Sequence, residues 1–188
     1  AVCFQSMLCN QTGANNTAVG VCSLHCNTAS NNTGVGFNSL LKNISGTENT
    51  SLGAHALEDN TTADENVAVG FKSLFTNTTG AQNTAVGSCV LNANTTGTGL
   101  TGVGHIALIK NTTGDKNTAI GYDTLGENTT ADNNTAVGYF ALRVNTTGAD
   151  NTAVGYLSLL DNTTGLGLVA VGCGALTNNT TANYNVAV

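Results

Sequence analysis

Apolar positions along this chain recur neither at helical spacing nor in simple alternation, but in columns 17 residues apart. A motif close to Asn-Thr-Ala-Val-Gly places its Gly at positions 20, 36, 53, 70, 87, 104, 121, 138, 155 and 172, with Cys3 one period earlier. Every step is 17 residues except one of 16, and the missing residue falls between Asn27 and Asn32, where a loop can lose one without disturbing the flanking columns. With the Gly numbered zero, position −1 is Val, Leu or Ile throughout, from Val2 and Val19 to Val171 and Val188. Position +4 is Leu in every repeat after Met7. Both read as core columns. A β-branched residue at −1 with Thr or Val at −3 predicts a short strand that turns −3 and −1 together to the inside. A second short strand around +3 to +5 is expected to deliver the Leu. The Asn-Thr-Thr-Gly run from +7 to +10 carries turn chemistry, its Gly supplying positive φ.

A helix does not fit, because apolar residues do not recur at i, i+3, i+4 and i+7, and Gly, Asn and Thr fill the places it would cross. One coil of this kind cannot bury enough to order itself, so the coils must stack and share continuous backbone ladders. The expected fold is all-β, a parallel β-solenoid or β-roll of about eleven 17-residue coils, about 50 Å long at the usual strand spacing. Residues 1–188 form one repeat domain, uncapped at both ends. It opens on Ala1-Val2 and closes on Ala187-Val188 in the same phase of the motif. Exposed backbone at both ends leads to the expectation that copies stack end to end.

Composition narrows the function. Charged residues make up 9 % of the chain, with only 5 Lys plus Arg and a net charge of −6, which leaves no basic stripe for nucleic acid or anionic lipid. No apolar run approaches the ~18 to 20 residues of a membrane-spanning helix. Six Cys in so polar a chain point to an oxidising compartment, and hence to an extracellular or cell-surface location.

The segment Asn134-Thr-Ala-Val-Gly-Tyr-Phe-Ala-Leu-Arg-Val-Asn-Thr-Thr-Gly148 resembles repeats found upstream of chaperone domains in phage tail-fibre-like and bacterial surface proteins. Its core is also similar to the Asn-Ser-Val-Ala-Ile-Gly motif of trimeric autotransporter adhesin heads, which are left-handed parallel β-rolls. The resemblance covers essentially the whole chain. It implies left-handed winding and an extracellular fibre or adhesin that associates with copies of itself, as a lateral trimer or end to end.

Column +7 is Asn in every repeat. Asn10, Asn43, Asn60, Asn77, Asn94, Asn111, Asn128, Asn145, Asn162 and Asn179 each begin an Asn-x-Ser/Thr acceptor for N-linked glycans, and Asn27 alone does not, because Ala29 stands at the third place. The same residues are also good turn formers. Further acceptor triplets, without that periodic placement, begin at Asn15, Asn31, Asn49, Asn133 and Asn178. Cys9 and Cys26 share position +6 in neighbouring coils, which puts their Cα atoms about 5 Å apart and makes them the expected disulfide. Cys3 and Cys22 lie near each other, and Cys89 and Cys173 are too far apart to bridge. Cys22, His25, Cys26 and Cys9 do not have zinc-finger spacing, so no metal site is assigned. His55 and His105 read as exposed side chains. The run Gly97-Thr-Gly-Leu-Thr-Gly102 matches a dinucleotide fingerprint only on paper, since its glycines belong to the repeat and no helix follows. No catalytic or cofactor-binding residue stands out. Column +1 carries Phe4, Phe37, Phe71, Tyr122, Tyr139 and Tyr156, suited to a corner or to contact between chains.

These features predict a non-enzymatic, N-glycosylated structural fibre. The alternatives are an adhesin or receptor-binding shaft and an ice-binding solenoid. The last is disfavoured by an inward Thr at −3 and by a +9 Thr that belongs to the acceptor triplet.

Overall fold

The computed structural model describes residues 2–188. It is a parallel β-solenoid with one three-residue strand in each coil, shortened to two in the last. The strands are β1 (Thr17–Val19), β2 (Thr33–Val35), β3 (Thr50–Leu52), β4 (Val67–Val69), β5 (Thr84–Val86), β6 (Thr101–Val103), β7 (Thr118–Ile120), β8 (Thr135–Val137), β9 (Thr152–Val154), β10 (Val169–Val171) and β11 (Val186–Ala187). They form a single 11-stranded sheet in chain order, and there is no helix among the described residues. Register never slips: Thr101 pairs Thr118, Gly102 pairs Ala119, and Val103 pairs Ile120. A parallel bridge from Val2 to Val19 carries the ladder one coil further. The 16-residue coil also keeps register, Thr17 pairing Thr33 and Val19 pairing Val35.

The period, the strand at −3 to −1 and the Leu column are as expected from the sequence, but the strand is turned the other way round. In β7 the −2 residue Ala119 is fully buried, whereas Thr118 is half-buried and Ile120 is 40 % exposed. No described −1 side chain is buried, and the −3 residues also face out. The reason is the narrowness of the interior. Leu24, Leu40 and their equivalents through Leu159 fill it from the opposite wall and are fully buried. Only a small residue then fits at −2, so Ala, Ser or Gly stands inside and the branched neighbours are displaced outward. The −2 residue faces the +3 residue twelve positions before it: Ser39 Oγ lies 2.7 Å from Ser51 Oγ, and a Cβ on Gly102 would stand 2.5 Å from Val90 Cγ1.

The Leu is delivered by a turn rather than by a second strand. Leu91 and Leu108 have φ of 51° and 52°, and Cys89 and Ile106 two residues earlier have φ of 56° and 54°. Left-handed backbone costs a branched residue about 1–2 kcal/mol. Here it is offset by complete burial of the Leu and by bonds between coils, such as Leu91 N–H to the Ala107 carbonyl at 3.0 Å. The glycines at zero do have positive φ, and at Gly70 (φ 129°) a Cβ would come within 2.3 Å of the Gly87 oxygen. The +10 glycines, in contrast, do not have the positive φ expected of them. Gly80 is needed for space, since a Cβ there would lie 2.3 Å from the Gly97 oxygen and 2.7 Å from Asn77 Oδ1.

Candidate functional surface

The interior holds two columns of buried Asn. At +7, Asn94 Nδ2 donates to Asn77 Oδ1 at 2.8 Å and to the Gly97 carbonyl at 3.0 Å, while its Oδ1 accepts from Asn111 Nδ2 at 2.9 Å. The same chain of bonds runs from Asn27 through Asn43 to Asn179. Asn43, Asn60, Asn77, Asn94, Asn111, Asn128, Asn145 and Asn162 are fully buried. This corrects the expectation that the column carries glycans. An N-linked sugar attaches at Nδ2, and in this column that nitrogen is inside and already donates twice. At the two ends Asn10 and Asn179 are half-buried but likewise engaged, Asn10 Nδ2 with the Gly13 carbonyl and Asn179 Nδ2 with Asn162 Oδ1 and the Ala182 carbonyl. Of the remaining acceptors Asn49 is buried, while Asn15, Asn31, Asn133 and Asn178 are exposed.

Sequence reasoning missed the second Asn column, at −4. Asn66 Oδ1 accepts the Asn83 backbone N–H at 3.0 Å, and Asn66 Nδ2 donates to the Gly80 carbonyl at 3.0 Å. The signal was present, since Asn recurs at −4 from Asn16 to Asn185 except at Leu100 and Leu168. Together the two columns pair the interior fully, and no described buried side-chain nitrogen or oxygen lacks a partner.

The outward side of the sheet presents two ranks, Thr or Val at −3 and Val, Leu or Ile at −1. Beyond the Gly, the aromatic column at +1 forms a ridge along the turn. Tyr122 stacks on Tyr139 at 5.2 Å and Tyr139 on Tyr156 at 5.7 Å, with Phe140 4.2 Å from Tyr139. Further along, His55 lies edge-on between Phe37 and Phe71. Tyr122, Tyr139, Tyr156, Phe37 and Phe71 are all exposed, so the column does not pack inside a corner. Cations border the ridge. Arg143 sits over Phe140 at 5.1 Å and bonds Asp123 at 2.5 Å, which raises the guanidinium pKa further, and Lys72 lies over Phe71 and Phe75. His55, expected to be exposed, is half-buried and pairs with Glu58, whereas His105 is exposed.

Cys9 and Cys26, the pair expected to form a disulfide, lie near enough for the Cys9 thiol to act on that of Cys26, but both are free thiols. Burial, and after it the neighbouring Cys9, pushes the Cys26 thiol pKa up. Cys22 Sγ faces Gln5 Oε1 at 3.5 Å, and His25 Nδ1 lies 3.1 Å from the Gln5 carbonyl. Among the described residues there is no pocket, and no group of three or more His, Cys, Asp or Glu is placed to hold a metal ion. No protein-family model, curated protein or solved structure matches the chain.

Proposed function

We propose that this chain is a structural rod, an extracellular fibre element that associates side by side with copies of itself and performs no catalysis. The observation that carries this reading is the exposed aromatic ridge, with the rings of Tyr122, Tyr139 and Tyr156 stacked coil upon coil beside Phe140. Rings held in a ladder have already lost much of their rotamer freedom, so covering them with a second chain costs little further entropy. Aromatic side chains are also enriched at the cores of interfaces between proteins. Resemblance of the repeat to phage tail-fibre-like and adhesin-head segments supports the same reading, as does a rod in which the same backbone and Asn bonds join coil to coil.

Sedimentation velocity and negative-stain electron microscopy of the purified chain, against a Tyr122→Ser/Tyr139→Ser/Tyr156→Ser variant, test it. The rod reading expects concentration-dependent assemblies that the variant loses while keeping its β circular dichroism. A monodisperse monomer at every concentration, identical in both proteins, overturns it.

A further inference from the structure

The outward face of the strands is a second surface, distinct from the aromatic ridge, with a regular two-rank pattern. One rank is the −3 column, Thr in most coils and Val at Val67, Val169 and Val186; the other is the Val, Leu and Ile of −1. In-register pairing repeats each rank once per coil. The ranks therefore form a grid of about 4.8 Å along the rod by about 6.7 Å across it. Neither rank contains a charged residue.

The hydroxyls of the −3 rank differ from those of the inner Thr column at +8. Thr95, Thr112 and Thr146 each donate to a carbonyl of the next coil, at 3.0, 3.0 and 3.1 Å. Among the described residues no −3 hydroxyl, such as that of Thr101, Thr118 or Thr135, bonds to another protein atom, although these side chains lie on the non-core face of the sheet, Thr135 exposed and Thr101 and Thr118 half-buried. Their hydrogen-bonding capacity is directed to whatever lies over the face.

We infer that this Thr/Val face binds the surface of ice. Methyl groups at fixed spacing restrict the orientation of first-shell water, and the hydroxyls between them hold those waters at lattice-like intervals, in the range of the repeat distances of hexagonal ice. A charge would draw water out of such an array, and none is present on the face. The exposed Thr rank at +9 lacks this combination. Two residues beyond Thr62, Thr113 and Thr130 stand Asp64, Asp115 and Asp132, so in those coils the hydroxyl is followed by a carboxylate rather than by a methyl. The inference is independent of the fibre reading, because it uses the strand face and not the aromatic ridge.

Thermal hysteresis and ice-recrystallisation inhibition of the purified chain, with circular dichroism as the control for folding, are the test. Wild type is expected to show both activities. Thr118→Tyr/Thr135→Tyr, which breaks the grid, is expected to fall to the level of buffer. Thr118→Val/Thr135→Val places in the rank a side chain it already carries at Val67 and Val169, so it should fold, and its hysteresis should drop several-fold. Thr113→Tyr/Thr130→Tyr should retain full activity. Wild type indistinguishable from a non-binding protein at equal concentration overturns the inference, and so does equal loss in the +9 control. It is also overturned if Thr118→Tyr/Thr135→Tyr turns an oligomer into a monomer without affecting ice, since the face would then be a contact between copies.

Discussion

The narrow interior makes a quantitative prediction at Gly102. Its partner across the core is Val90, the one Val at +3, where other coils carry Ala, Ser or Thr. A Cβ at Gly102 would stand 2.5 Å from Val90 Cγ1, about 1 Å or more inside ordinary carbon contact. Gly102→Ala should therefore cost about 1–3 kcal/mol by overpacking. Val90→Ala removes two buried methyls opposite a residue with no side chain to fill the gap, a loss of about 2 kcal/mol. The double variant recreates the Ala107–Ala119 pair, both fully buried, and should lie within about 1 kcal/mol of wild type. The coupling energy is then about 2–5 kcal/mol in favour of the pair. Urea or guanidinium titration followed by circular dichroism measures it, provided that the slope of the transition is unchanged among the four proteins. Single effects that add within about 0.5 kcal/mol would refute the cross-core pairing.

Other outcomes follow from the ladders and the thiols. Asn94→Ala removes three buried hydrogen bonds and should destabilise the rod by about 2–4 kcal/mol, read from the same titration. In a host that N-glycosylates, peptide mapping should find Asn43 to Asn162 of the +7 column bare and any sugar at Asn15, Asn31, Asn133 or Asn178; occupancy of Asn94 in folded protein would contradict the buried ladder. Because the Cys26 pKa is raised, its neutral thiol is the favoured form below the ordinary thiol pKa, and that preference is lost only as pH rises through the higher folded value. Alkylation near pH 8 should thus be slower at Cys26 than at exposed Cys173, as measured by time-resolved peptide mass spectrometry. Oxidised glutathione should yield a Cys9–Cys26 linked peptide in preference to any other pair, with Cys22–Cys26 linkage as the contrary result.

The period, the coil count and the Leu column were legible because stacking forces each column to keep one environment. What misled was the assumption that the larger apolar residue of a strand goes inside. Val103 and Ile120 are more hydrophobic than Gly102 and Ala119, yet the space beside them is taken by Leu91 and Leu108 from the far wall. The Asn columns were misread for a related reason. Taken singly, Asn77 or Asn94 looks like a turn residue or a sugar acceptor; stacked, each amide supplies both the donor and the acceptor its neighbours need, which makes burial favourable. Positive φ at Leu91 and Leu108 was hidden because Leu has no intrinsic preference for it, and only the completed stack makes it stable.

The short coil has a consequence for how such a rod can change over generations. In it Asn27 Nδ2 reaches the Ala29 carbonyl two residues on, at 2.8 Å, where Asn43 reaches Gly46 three residues on; Asn43 still donates to Asn27 Oδ1 at 2.6 Å. Alignment is thus maintained by neighbour-to-neighbour recognition and not by residue count, so a deletion at this edge is absorbed locally. A tandem duplication or loss of one repeat would leave every remaining junction with a compatible neighbour. Rod length then becomes an inheritable quantity that recombination can adjust in steps of one coil, about 4.8 Å each.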